Sequence, residues 1–131
     1  MPYIAIQTTQ TLLPQQAQQL ADGVTDIMVN LLHKKRELVA VSIQPLHGQW
    51  FINAQANLST AFMQAYITAN TNTEIEKAQA QTALFNLLET VLGKLSEATY
   101  IVLHNVPATD WGYSGQTQAA RKQVLDHNLS L

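Results

Sequence analysis

The chain has 131 residues, of which 47% are hydrophobic and only 12% charged, with a formal net charge of −2 and no cysteine. That length suits one domain whose core is large enough to stand without cross-links. Disulfide and thiolate chemistry are excluded, and the lack of a basic run argues against nucleic acid as a partner. No apolar run approaches a membrane span and no signal-peptide pattern opens the chain, so no membrane partner is expected and a soluble, cytoplasmic setting is.

Residues 2–8 alternate and carry Tyr, Ile and Thr, which predicts a strand headed by Pro2. Pro14 suits the first turn of a helix. From there Ala17, Leu20, Ala21, Val24, Ile27, Met28 and Leu31 fall at the spacing of one buried stripe. Gly23 weakens that helix slightly, and His33-Lys34-Lys35-Arg36 places positive charge at its end, where the helix dipole favours it. Leu38–Gln44 reads as a second, β-branched strand closed by Pro45, and a turn containing Trp50 follows.

The same succession then returns. Phe62–Thr68 reads as a strand, Thr73 and Glu76 form a capping box, and Ala80, Leu84, Leu87, Leu88, Val91 and Leu95 make a second helical stripe. Thr99–Val106 is the fourth strand, and Pro107 opens a turn carrying Trp111. Strand, helix, strand and Trp-turn therefore occur twice at an offset of about 60 residues, which is the mark of a duplication. The expected fold class is α/β: one domain of two β-α-β units over about 2–57 and 58–118, with a tail over 119–131. Right-handed crossovers put both helices on one face of a four-stranded sheet. The other face then needs a cover, and another subunit is the expected one. The segment from Gln116 is read as a strand or turn followed by a short helix.

Pro2 is the residue best placed for chemistry. If Met1 is removed, its nitrogen becomes a secondary amine. An ordinary α-amino group titrates at roughly 7.7–8.0, and apolar surroundings disfavour its charged form, which suits a base at neutral pH. The four histidines, His33, His47, His104 and His127, share no ligand spacing, so no metal site is expected, and no cofactor motif is present. His104 is read as a hydrogen-bonded structural residue.

Met1-Pro2-Tyr3-Ile4 and the stretch Leu103–Gly115, with Leu38–Ile43 and Trp50-Phe51-Ile52 in the first half, resemble the tautomerase superfamily (tautomerase/MIF-like folds). The resemblance is to double-length, fused relatives of 4-oxalocrotonate tautomerase and covers almost the whole chain. It implies an isomerase of small carbonyl or enol compounds with Pro2 as general base or acid, assembled as a homotrimer. By the same resemblance Phe62 takes the place of Pro2 in the repeat, and Trp50 and Trp111 are the aromatics of the pocket.

The two arginines that hold substrate carboxylates in short relatives fall on Leu12 and Ser42, with Asn72 and Val102 as their counterparts in the repeat. All four lack a cation, which implies a less anionic substrate. Tyr113, Ser42, Asn72 and Tyr100, with Gln64 and Tyr66, remain as neutral hydrogen-bond donors for a developing enolate. Two alternatives stand beside this reading: a catalytically silent binding or scaffold protein, and a hydratase- or dehalogenase-type enzyme using a cationic proline.

Overall fold

A computed structural model describes residues 2–130; Met1 and Leu131 lie outside the described residues, and with them the question of Met1 removal. The first unit comprises strand β1 (Tyr3–Thr8), helix α1 (Pro14–Asn30), a 3-10 turn over Arg36–Leu38 and strand β2 (Ala40–Pro45). The second comprises β3 (Ala61–Thr68), α2 (Glu74–Leu92) and β4 (Tyr100–Val106). A hairpin of β5 (Gly112–Tyr113) and β6 (Gln116–Thr117) leads into α3 (Gln118–Ser130).

The strands form one sheet in the order β2-β1-β3-β4, each unit internally parallel and the two joined by the antiparallel pair β1/β3. Alternation decides which side chains meet the helices. Ile4, Ile6 and Thr8 of β1 and Ala61, Met63, Ala65 and Ile67 of β3 are fully buried. They pack with Leu20, Val24 and Met28 of α1 and Ala80, Leu84 and Leu88 of α2. The opposite face carries Tyr3, Ser42, Gln64, Tyr66, Tyr100, Val102 and His104, all exposed or half-buried.

Each helix shows a local reason for its place. Pro14 opens α1, as expected, and the Gln16 side chain accepts the Leu13 N–H at 2.8 Å. In α2, Thr73 accepts from the Glu76 N–H at 3.1 Å while Glu76 accepts from the Thr73 N–H at 2.8 Å, which is the capping box expected from sequence. Gly23 is where the helices touch: a Cβ there would stand 2.6 Å from Leu87 Cδ1. The glycine therefore exchanges some helix propensity for close approach.

The boundaries differ from expectation in three places. The second strand starts at Ala40 because Arg36–Leu38 is taken up by the 3-10 turn. The basic run after α1 lies beyond the helix: the chain turns back through His33 at φ 60°, with the Lys34 N–H on the Met28 carbonyl. Arg36 then pairs with Asp26 at 2.7 Å, on the surface.

The third difference concerns the repeat. Ile4 and Ile6 of β1 face the helices, as do Met63 and Ala65 of β3, so the strands superpose only at an odd offset. Tyr3 pairs with Ala40 and Phe62 with Tyr100 at the heads of the two parallel ladders. Tyr3 therefore matches Phe62, and the counterpart of Pro2 is Ala61 rather than Phe62.

Candidate active site

The pseudo-twofold arrangement gives the sheet two equivalent ends, and each Trp-turn closes one of them. At the first end, Pro2 heads the central strand β1. It is buried, and its carbonyl accepts the Ala40 N–H at 3.2 Å. Beside it opens a cavity of about 470 Å3 lined by Tyr3, Tyr66, Val106, Asp110, Trp111 and Gly112. Pro2 does not itself line this cavity; its neighbour Tyr3 does.

The aromatic wall is ordered by stacking across strands. Tyr66 lies face to face with His104 at 4.4 Å and 11°, and with Tyr3 at 6.0 Å and 17°. Trp111 meets Tyr66 edge-on at 6.5 Å and 78°. Offset-stacked and edge-on pairs such as these are the arrangements that ring quadrupoles favour. Gln64 Oε1 accepts from the Tyr66 hydroxyl at 3.3 Å and lies 3.1 Å from His104 Nε2, which requires that nitrogen to carry the proton. The sheet-facing side of the wall is thus held by a fixed polar network.

The lining is short of positive charge. Among the described residues no lysine or arginine borders this cavity, and its one carboxylate, Asp110, accepts from the Thr109 hydroxyl at 3.0 Å. A dianionic substrate would be desolvated there against a like charge.

The residues expected at a substrate site are dispersed. Trp111 lines the cavity at the Pro2 end. Ser42 shares a 2.7 Å hydrogen bond with the Tyr3 hydroxyl, which ties it to the same wall. Tyr113 sits in the adjoining hairpin under Arg121, whose guanidinium lies 3.9 Å from the ring centre and donates to the Tyr113 carbonyl at 2.9 Å. Arg121 is thereby engaged within its own chain. Asn72 serves the helix ends, donating to the Leu32 carbonyl at 3.0 Å and to Glu76 at 3.4 Å. Tyr100, 62% exposed, stands opposite Phe62 toward the other end of the sheet.

Trp50 closes that other end, roughly 20 Å away by the length of a six-residue strand. It lines a second cavity, of about 540 Å3. Tyr3 and Asp110 were not singled out as site residues from sequence. Tyr3 joins Tyr66 on one face through the register of β1 against β3, which pairs the two residues. The position of Asp110 depends on the turn.

The architecture and the Pro-headed strand beside an aromatic cavity define a class before any comparison: a duplicated β-α-β protein with its candidate site at the end of the sheet. Solved structures of similar shape make the fold specific. The fused 4-OT wild-type symmetric trimer superposes with a TM-score of 0.83 at 19% identity, over 91% of this chain and 98% of that one. Pt0534 inactivated by 2-oxo-3-pentynoate gives 0.80 at 21% identity over the same shares. Macrophage migration inhibitory factor from Toxoplasma gondii gives 0.76 at 19% identity, over 88% and 98%.

The chain has the tautomerase-superfamily fold. No protein-family model matches the sequence, and no curated protein matches it. No helix among the described residues is long and apolar enough to cross a membrane.

Proposed function

We propose that this tautomerase-fold protein is an isomerase in which Pro2, freed by loss of Met1, moves a proton on a small carbonyl or enol compound, within a homotrimer. The observation that carries this reading is the buried proline at the head of the central strand, next to a cavity of about 470 Å3 with an aromatic wall and, among the described residues, no bordering lysine or arginine. A secondary amine in such surroundings is disfavoured in its charged form and can accept a proton from the carbon beside a carbonyl. The Trp111 indole N–H, together with the Tyr3 hydroxyl when Ser42 donates to it, supplies neutral donors in the wall for a developing enolate. Asp110 and the missing cation favour a substrate with at most one negative charge. The trimer follows the fused 4-OT structures of the same shape, and it would cover the open face of the sheet.

A second reading, a silent binding protein, draws on the chain's internal use of the positions where relatives bind carboxylates. Ser42 is tied to Tyr3 and Asn72 to the helix ends. Two measurements separate the readings. Intact-mass analysis should show loss of one methionine. Pro2→Ala should then slow phenylenolpyruvate ketonisation by about 10²–10⁴-fold, the usual worth of a positioned base. Equal rates in the two proteins, or an uncleaved Met1, would leave only the silent reading.

A further inference from the structure

The cavity at the Trp50 end is the larger of the two and has a chemistry of its own. Trp50, Gln10, Gln49, Asn57, Ser59 and Leu46 border it, and no ionisable side chain does among the described residues. Its volume, about 540 Å3, lies in the range of small-molecule sites. The counterpart of Pro2 at this end is Ala61, an internal residue whose nitrogen is an amide, so proline chemistry is absent here. The space is kept open nonetheless.

The polar groups are oriented. Gln10 Nε2 donates to the Leu92 carbonyl at 2.8 Å and to Ser59 Oγ at 2.6 Å. A carbonyl can only accept, so the Leu92 contact fixes which end of the Gln10 amide is nitrogen. Both N–H groups are used, and Gln10 Oε1 has no donor among the described residues. Ser59 Oγ accepts from Gln10 and therefore has its own proton to give. An oriented acceptor and a hydroxyl donor thus stand side by side in a cavity that Trp50 also lines. A charged ligand would lose its hydration there without a counter-charge. A neutral ligand presenting an N–H next to a C=O would satisfy both groups, with its ring against the tryptophan.

We propose that the Trp50 cavity is a second, non-catalytic ligand site for neutral planar carboxamides, aromatic amides or amide-bearing heterocycles, and that it works independently of Pro2. The test titrates benzamide, and separately the isosteric benzoate, into the ¹⁵N-labelled full chain. Benzamide should shift the Trp50 indole N–H and the Gln49 and Asn57 side-chain amides, saturably, while the Trp111 indole stays in place. Benzoate should bind at least tenfold more weakly. Ser59→Ala and Trp50→Leu should each weaken benzamide at least fivefold, and Pro2→Ala should leave it unchanged. Absence of saturable shifts, equal affinity for benzoate, shifts centred on Trp111, or binding that survives Ser59→Ala in a folded protein would each overturn the site. Because Pro2→Ala is expected to bind benzamide normally, this result is separable from the fate of the isomerase proposal.

Discussion

The two ends of the sheet are built from one plan and have diverged in what they offer a ligand. At one, a proline heads β1 beside stacked Tyr3, Tyr66 and His104, and Trp111 closes the cavity. At the other, Ala61 takes the equivalent place and Trp50 closes a cavity edged by amides and hydroxyls. The backbone plan and the position of the indole recur at both ends. The buried stripes of the two helices keep their four-residue spacing, Leu20, Val24 and Met28 in one and Ala80, Leu84 and Leu88 in the other. The side chains that line the two cavities differ in kind.

The comparison can be broken most directly at the two tryptophans. Trp111→Ala should lower kcat/KM for phenylenolpyruvate by at least tenfold, since it removes a wall of the Pro2 cavity. Trp50→Ala should change that rate less than twofold. Equal losses from both would mean that the ends act as one site, for instance by meeting across subunits.

A smaller effect separates the two hairpins that carry those tryptophans. Asn53 and Ala54 have φ of 52° and 59° between the paired Ile52 and Gln55, and Ser114 and Gly115 have φ of 51° and 80° at the equivalent place. Both are two-residue turns that need positive φ throughout. Glycine adopts this without strain and alanine does not, at a cost of about 1–2 kcal/mol. Ala54→Gly should accordingly raise the unfolding free energy by about 1 kcal/mol, and Gly115→Ala should lower it by a similar amount. Denaturant midpoints measured at constant m-value check both.

The smallest expected effect lies at the helix starts. The α1 N-terminus has Leu13 and no acidic group in its first turn, whereas α2 has Glu76 in a capping box. Hydrogen bonding from the Thr73 backbone N–H is the main cause holding the Glu76 carboxyl below its ordinary value, with Asn72 and His33 adding to it. A carboxyl lowered in the folded state binds protons more readily when unfolded, so its contribution is full above the unfolded value near 4.3. That contribution is lost as pH falls through the folded value. The stability advantage of wild type over Glu76→Gln should therefore shrink as pH falls below about 5. An advantage that stays constant as the pH is lowered would remove Glu76 from the account.

Much of the fold was legible from residue spacing. Ala17 to Leu31 and Ala80 to Val91 recur at helical intervals, Thr73 and Glu76 announce a helix start, and Pro45 and Pro107 punctuate the strands. The first stripe ends differently from its spacing. Leu32, rather than Leu31, is the fully buried residue after α1, because the helix stops at Asn30 and the chain changes direction. The site was less legible. Pro2 and Trp111 stood out as types, but Tyr3 and Asp110 acquire meaning only beside them. Trp50, expected with Trp111, sits at the far end of the same chain.

Periodicity and turn chemistry are local, and they sufficed to set the elements, the repeated order of elements and most of the buried stripes. Strand register is not local. The odd offset that matches Pro2 with Ala61, the separation of the two indoles, and the pairing of Gln10 with Leu92 and Ser59 all depend on how β1 slides against β3 and how the turns fold over the strand ends. A one-residue slip in a strand exchanges its two faces, so only the assembled sheet could decide which side chains share a cavity.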